Sequence, residues 1–261
     1  MFDLEFMPPS AVDLIKKEIQ LLAALDHPNI VRCLGHSLTD TSTTLYMELF
    51  AQSLRDLLSD PTSSLPRGAA ATLGHFGQIT EGVAYLHDEG VLHRDLKSEN
   101  VYVHREASGV HILKIGDMGE AKDIAARSRI LRPGQKPAIV GTPEFLAPEV
   151  FAAVPLYSRA SDVWALGMTL FELITSEIPY HLDGIEPFAL SDSIRGGVKP
   201  SFPASVGQSF EPVIKIFSRC TAASPAARPT AAKLVVKAQR AQRKIVATLG
   251  EPSSPDDRQP T

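Results

Sequence analysis

The stretch SDVWALGMTLFELITS, residues 161–176, is apolar on several faces at helical spacing. A helix of that kind sits at the centre of a domain, with other elements packed around it. Its strongly apolar part, Val163 to Ile174, is about a dozen residues and is interrupted by Glu172, which is too short and too polar for a membrane span. The feature therefore demands a sizeable helical body. At roughly 100 to 200 residues per domain, 261 residues allow one large domain or two lobes. With 44% apolar and 21% charged residues the composition is that of a folding chain, not a disordered one.

Charge narrows the partners. Twenty-six basic against 30 acidic residues give −4, so no global field favours nucleic acid or an anionic membrane. Cys33 and Cys220 stand far apart without metal-like spacing, which indicates neither a disulfide framework nor a zinc site. Met1-Phe2-Asp3 lacks a basic leader region. The reading is a chain without signal peptide or membrane span, in a reducing, cytoplasmic (intracellular) setting.

Along the chain, Ser10 with Asp13 reads as a capping box, and Leu14, Glu18, Leu21, Leu22 and Leu25 recur at helical spacing, predicting a helix over 11–25. Two apolar runs, 30–38 and 44–50, read as an antiparallel strand pair. Helices follow at 54–58 and 68–87, the second ended by Gly90, then short strands at 91–92, 101–103 and 112–115. Between Gly119 and Gly141 lies a loop without period that carries Arg127, Arg129, Arg132 and Lys136; a loop this long in a compact domain is usually functional. The remainder reads as helical, ending in a helix over 230–249 with Leu234, Ala238, Ile245 and Leu249 on one side and a basic stripe, Lys233, Lys237, Arg240, Arg243 and Lys244, elsewhere. The simplest account of that stripe is a solvated face, with an acidic partner or a membrane surface as the second reading. The tail EPSSPDDRQPT has the composition of a disordered segment.

Chemistry concentrates in HRDLKSENVYV, where a strand ends, a loop carries His93, Arg94, Asp95, Lys97 and Asn100, and another strand begins. GDMG follows with Asp117 22 residues after Asp95, and GTPEFLAPE ends 32 residues after Asp117. Individually these are turn formers; agreement at all three sites by chance is very small. The sequence here resembles the protein kinase family, from about Ser10 to Leu249. The resemblance implies an α+β, protein-kinase-like two-lobe fold, with an incomplete small lobe of one helix plus about two strands (1–50), a mostly helical large lobe (51–249) and a disordered tail (250–261).

It also implies transfer of the γ-phosphoryl group of ATP, with Mg²⁺, to Ser or Thr hydroxyls of a protein substrate. Phosphoryl transfer needs a positioned hydroxyl, neutralised charge and hard oxygen ligands for magnesium. Asp95 matches the aspartate that accepts the hydroxyl proton, and Asn100 and Asp117 match the magnesium-holding amide and carboxylate. Lys97 matches the lysine of the serine/threonine branch. Met118 replaces the usual phenylalanine and Phe145 the usual tyrosine, both read as packing variants. Glu149 with Arg228 matches a buried bracing pair, Asp162 an aspartate that holds the catalytic-loop backbone, and His93 a structural histidine beneath the site. In LYMELF, Met47 matches the gatekeeper, with backbone groups of Glu48 and Phe50 facing the purine. Arg94 beside Asp95 is the family's cue for control by phosphorylation of the following loop, where Ser128 and Thr142 are the hydroxyl candidates; Thr142 reads better as a contact of Asp95.

Glu18 matches the glutamate that pairs with a nucleotide-binding lysine, yet no G-x-G-x-x-G and no lysine precede Lys16 in this sequence. Lys16 and Lys17 project from other faces of the same helix. One lost charge-assisted contact costs roughly 1.5 to 3 kcal/mol. The expectation is a serine/threonine kinase domain lacking the start of its small lobe, whose open sheet edge is an association hazard or a docking surface for another chain. The alternative is a pseudokinase-like scaffold that binds partners without catalysis. An unrelated ATP-dependent phosphotransferase needs a glycine-rich phosphate loop, which the sequence does not contain.

Overall fold

The computed structural model describes residues 2–3, 12, 16, 19–39, 42–118, 121–123 and 139–250. The capping box at Ser10 and Asp13, Lys17, Glu18, Ser128 with its neighbouring basic residues, and the tail from 251 lie outside the described residues.

Three strands form the small sheet: β1 (Phe2–Asp3), β2 (Cys33–Leu38) and β3 (Ser42–Met47), antiparallel in the order β1-β3-β2. The third strand, Phe2↔Thr43 and Asp3↔Ser42, was not legible as a two-residue run, and it corrects the expected strand pair to a three-stranded sheet. The predicted strand over 30–38 starts late, at Cys33, because Ile30 and Val31 pair with Ile115 instead of with β3. The predicted strand over 44–50 ends at Met47, so residues 48–50 leave the ladder. Residues 19–23 are helical (α1), with Ile19 and Leu25 buried.

The segment after α1 joins the small sheet to the larger body. Val31 N–H donates to Ile115 O at 2.8 Å, Ile115 N–H to Asn29 O at 2.9 Å, and the buried Asn29 amide donates to Leu113 O at 2.9 Å. This pairing spends buried backbone groups that would otherwise be orphaned.

The larger body contains α2 (Leu54–Ser59), α3 (Ala69–Asp88), β4 (Val91–Leu92), β5 (Val101–Arg105), β6 (His111–Ile115) and β7 (Lys122–Asp123), followed by α4 (Arg159–Thr175), α5 (Leu190–Arg195), α6 (Glu211–Cys220) and α7 (Ala231–Gly250). A reciprocal Ser158–Ser161 cap starts α4, and every residue from Ser161 to Leu173 is buried, as its all-round apolar sequence requires. Phe171 packs on Phe202 at 5.1 Å between ring centres, and Phe202 meets Phe217 of α6 edge-on at 5.0 Å. Among the described residues no helix is long and apolar enough to cross a membrane. Met118 and Phe145 are buried in the same core, consistent with their reading as packing variants. Two antiparallel pairs, β4 with β7 and the hairpin β5 with β6, flank the connections β4–β5 and β6–β7, where the motif residues lie.

Candidate active site

The loop between β4 and β5 is held from below by α4. Asp162, 1% exposed, accepts from His93 N–H and Arg94 N–H, each at 3.0 Å, and lies 2.9 Å from His87 Nε2. Burial pushes its carboxyl up, but the His87 hydrogen bond and charge and the Arg94 amide more than offset this and hold it below the usual aspartate range. The clamp matters because Arg94 has φ +70°, a left-handed conformation that costs a non-glycine residue free energy unless its surroundings fix it. His93 is fully buried; its Nδ1 accepts from Asp95 N–H at 3.4 Å and its Nε2 lies 3.0 Å from Gly116 O, which assigns the neutral Nε2–H tautomer. One ring thus fixes the start of the Asp95 loop to the turn that carries Asp117.

Asp95 is engaged at both carboxylate oxygens. Thr142 donates to Oδ1 from its N–H at 2.9 Å and its Oγ1 at 2.8 Å. Asn100 Nδ2 donates to Oδ2 at 3.0 Å and to the Asp95 carbonyl at 2.7 Å. Lys97 Nζ sits 3.2 Å from Oδ2 and donates to Thr142 Oγ1 at 2.6 Å. Burial raises the Asp95 pKa, while the Thr142 hydroxyl, the Lys97 charge and hydrogen bond, and the Thr142 amide together bring it below the ordinary value. The result is an ionised carboxylate at neutral pH with a fixed orientation. Gly141 makes the Thr142 approach possible: its φ is +100°, and a Cβ there would lie 2.6 Å from Arg94 O. Thr142 Oγ1 is therefore committed within the site, in accord with its reading as an Asp95 contact.

Asp117, exposed and at φ +51°, follows Gly116, whose N–H donates to Asn100 O at 2.9 Å just past the Val101↔Ile115 pair. The β5–β6 ladder thereby sets Asp117 next to Asn100. The Asn100 bonds named above use only Nδ2, so its Oδ1 is not spent on them. Among the described residues no three His, Cys, Asp or Glu side chains gather as a metal cage. An amide oxygen and a carboxylate on backbone segments joined by the Gly116–Asn100 bond are instead the donor types that suit Mg²⁺, which keeps waters and shares its shell with substrate phosphates. The residues present fit that ion.

Residues 48–50 connect the small sheet towards α2 without helix or strand structure. Glu48 N–H donates to Arg32 O at 3.1 Å, so only its carbonyl is left to face a purine, a narrower role than the sequence suggested. Its carboxylate is paired with Lys114 at 2.7 Å and Arg32 at 3.4 Å. Phe50 stacks on Tyr102 with ring centres 5.6 Å apart, and Met47 is part-exposed at the end of β3. Arg94 is buried with its guanidinium 5.3 Å from the centre of the Tyr157 ring, and the Tyr157 hydroxyl accepts from Val140 N–H at 2.6 Å and donates to Val140 O at 2.7 Å.

Sequence reasoning noted Glu172 only as an interruption of an apolar run; it is a fully buried acid that holds the loop. Its Oε2 accepts from Ser98 N–H at 3.0 Å, and its Oε1 accepts from Ser98 Oγ at 2.6 Å and Arg55 Nη1 at 3.3 Å. The signal was available, since an acid inside a helix buried on all sides needs a partner. Burial, helped by the Glu99 charge, raises Glu172 to about 7 despite the Ser98 and Arg55 contacts. Between about 4.5 and 7 the folded protein therefore binds a proton that the unfolded chain releases, and stability falls as pH rises through that window. The full effect is about 3 kcal/mol by the linkage of 1.36 kcal/mol per unit. Glu172→Gln is expected to flatten the urea-unfolding stability between pH 5 and 7; an unchanged slope would show that another group sets it.

Glu149 and Arg228 form a bidentate pair, Nη1–Oε1 2.6 Å and Nη2–Oε2 2.8 Å. The guanidinium also donates to the carbonyls of Ala160, Ala222 and Ala223 and stands 5.0 Å from the Trp164 ring centre.

A carboxylate held by hydroxyl, amide and ammonium donors, next to an amide and a carboxylate of the kinds that hold magnesium, has the chemistry of a phosphoryl-transfer site on an α+β fold. The chain matches the family model described as Protein kinase domain over residues 7–238, and it belongs to the protein kinase family. A probable serine/threonine-protein kinase of Dictyostelium discoideum is 31% identical over 227 residues, 87% of this chain and 42% of that relative. Mitogen-activated protein kinase kinase kinases 3 and 1 of Arabidopsis thaliana are 31% and 33% identical over 224 and 223 residues, 85% of this chain and 34% of each relative. The chain thus spans well under half the length of these relatives. It is of the serine/threonine kinase type, and the comparisons do not favour the scaffold alternative. The family uses ATP as phosphoryl donor, with Mg²⁺ as its usual ion, and a protein as acceptor.

Proposed function

We propose that this chain transfers the γ-phosphoryl group of ATP to Ser or Thr hydroxyls of a protein substrate, with Asp95, Lys97, Asn100 and Asp117 as the working groups. The observation that carries this is the doubly engaged Asp95 carboxylate, held by Thr142, Asn100 and Lys97 within one loop of the Asp117 turn. Asp95 orients the acceptor hydroxyl and takes its proton as the oxygen–phosphorus bond forms and the bond to the ADP oxygen breaks. Lys97, between Asp95 and Thr142, balances negative charge on the transferring group. Asn100 Oδ1 and the Asp117 carboxylate hold the magnesium, which when bound neutralises phosphate charge. Met47, the Glu48 carbonyl and the Phe50 backbone are assigned to the purine side, and Glu18, outside the described residues, is assigned to the same nucleotide site from its sequence motif alone. The position of Arg94 next to Asp95 in the sequence motif supports control through phosphorylation of the loop that contains Ser128.

The lobe division at residue 50 is supported by β3 ending at Met47 and α2 starting at Leu54. Exposed Leu34 and Tyr46 support a partner-docking role for the small sheet. The free cysteines Cys33 and Cys220 support a cytoplasmic setting.

Asp117→Asn tests the metal role. Magnesium-dependent transfer to a generic protein substrate is expected to fall at least a hundredfold, since a carboxylate ligand becomes a neutral amide. Transfer that survives with unchanged magnesium dependence would remove Asp117 from the metal site.

A further inference from the structure

The working groups above leave α7 unused, and its outer face is unlike the rest of the surface. The chain has 26 basic and 30 acidic residues, yet α7 carries Lys233, Lys237, Arg240, Arg243 and Lys244 and no Asp or Glu. The inner side is spent on the core: Ala231, Leu234 and Ala238 are buried, with Ala241 and Ile245 packed against them. The flanks are spent too, Gln239 donating to Glu81 Oε1 at 3.1 Å and Gln242 to Ala70 O at 3.1 Å. What remains is a cationic face. Among the described residues none of its five cations forms an ion pair, whereas Lys215 on neighbouring α6 is paired with Glu211 at 2.7 Å. A face that is merely solvated ordinarily mixes both signs at i, i+4.

An apolar patch lies within the cations. Val236 is 57% exposed and lines a shallow hollow together with Ala232, Lys233, Lys237 and Arg240. From Lys233 through Lys237 and Arg240 to Lys244 the steps are four, three and four residues, about 16 Å along the axis at 1.5 Å per residue. We propose that the exposed face of α7 docks an acidic amphipathic helix of a partner protein. The complementary segment is about three turns long, with carboxylates at i, i+3 and i+4 spacing and one aliphatic side chain over Val236. This spacing repeats that of the cations, and it places each carboxylate within one helical turn of a Lys or Arg. A protein is favoured over an anionic membrane because the apolar side of α7 is locked in the core and cannot roll into lipid, leaving Val236 and Val246 exposed among the large apolar side chains of the helix described up to residue 248.

The test is fluorescence-polarisation binding of a labelled 16-residue helical peptide, Glu-rich with one central Leu, to the full chain at low and physiological salt. Binding is expected to weaken at least tenfold in K237E/R240E and about fivefold with a same-composition scrambled peptide. K215E on α6 is expected to leave it unchanged. Circular dichroism checks that the variants fold, and a chain ending at Gly250 checks that residues 251–261 are not the occupant. No binding by the wild type, equal binding by K237E/R240E or by the scrambled peptide, tighter binding to vesicles with 30% phosphatidylserine, or peptide binding that rises tenfold only on tail removal would each overturn the proposal.

Discussion

Arg228→Ala is expected to lower the unfolding free energy by about 3 to 5 kcal/mol, because removing one partner of a buried ion pair leaves the other charge uncompensated. The Arg228 side chain is fully buried and that of Glu149 nearly so. Five guanidinium hydrogen bonds end on the Glu149 carboxylate and on the carbonyls of Ala160, Ala222 and Ala223, so truncation strips three carbonyls as well as the carboxylate. It also removes the cation from the Trp164 face in the middle of α4. For a chain of this size the midpoint of thermal unfolding should drop on the order of 10 °C. Arg228→Lys keeps a charge but loses the planar fork, and should fall between. A midpoint within about 2 °C of wild type for the alanine variant would mean that the pair does not brace the body.

Much of this was readable beforehand, and for a physical reason. The site residues lie in short segments whose local chemistry is distinctive, and strand ladders bring those segments together: β5–β6 sets Asn100 beside the Asp117 turn, as spacing suggested. The central position of α4 followed from its all-round apolarity. What was not readable depends on contacts distant in sequence. Glu172 holds Ser98 from 74 residues away, and Thr142 reaches Asp95 across 47 residues only because Gly141 can adopt φ +100°. The pairing of Phe2–Asp3 with β3 was equally invisible, since two residues carry no alternation. Glu18, on which the question of a nucleotide-binding lysine turns, lies outside the described residues.

Asp95→Asn carries the other large effect. The amide cannot accept a proton from the acceptor hydroxyl, and general-base removal ordinarily costs a factor of about 10² to 10⁴. The substitution is nearly isosteric but not electrically neutral for its neighbours. If the new carbonyl oxygen keeps the Thr142 donors, the new NH₂ faces Asn100 Nδ2 and Lys97 Nζ, donor against donor. A small loss of stability therefore accompanies the loss of rate. Nucleotide binding should be preserved, because Asp95 is not among the groups assigned to magnesium or purine.

The most direct measurement is single-turnover transfer of labelled γ-phosphoryl from Mg·ATP to a protein substrate, run in parallel on wild type and Asp95→Asn, with phosphoamino-acid analysis and nucleotide affinity. The account predicts label on serine or threonine for the wild type, a rate lower by at least about a hundredfold in the variant, and nucleotide affinity within about threefold of wild type. Equal rates in the two proteins, or a wild type that binds Mg·ATP and transfers no phosphoryl group, would contradict it.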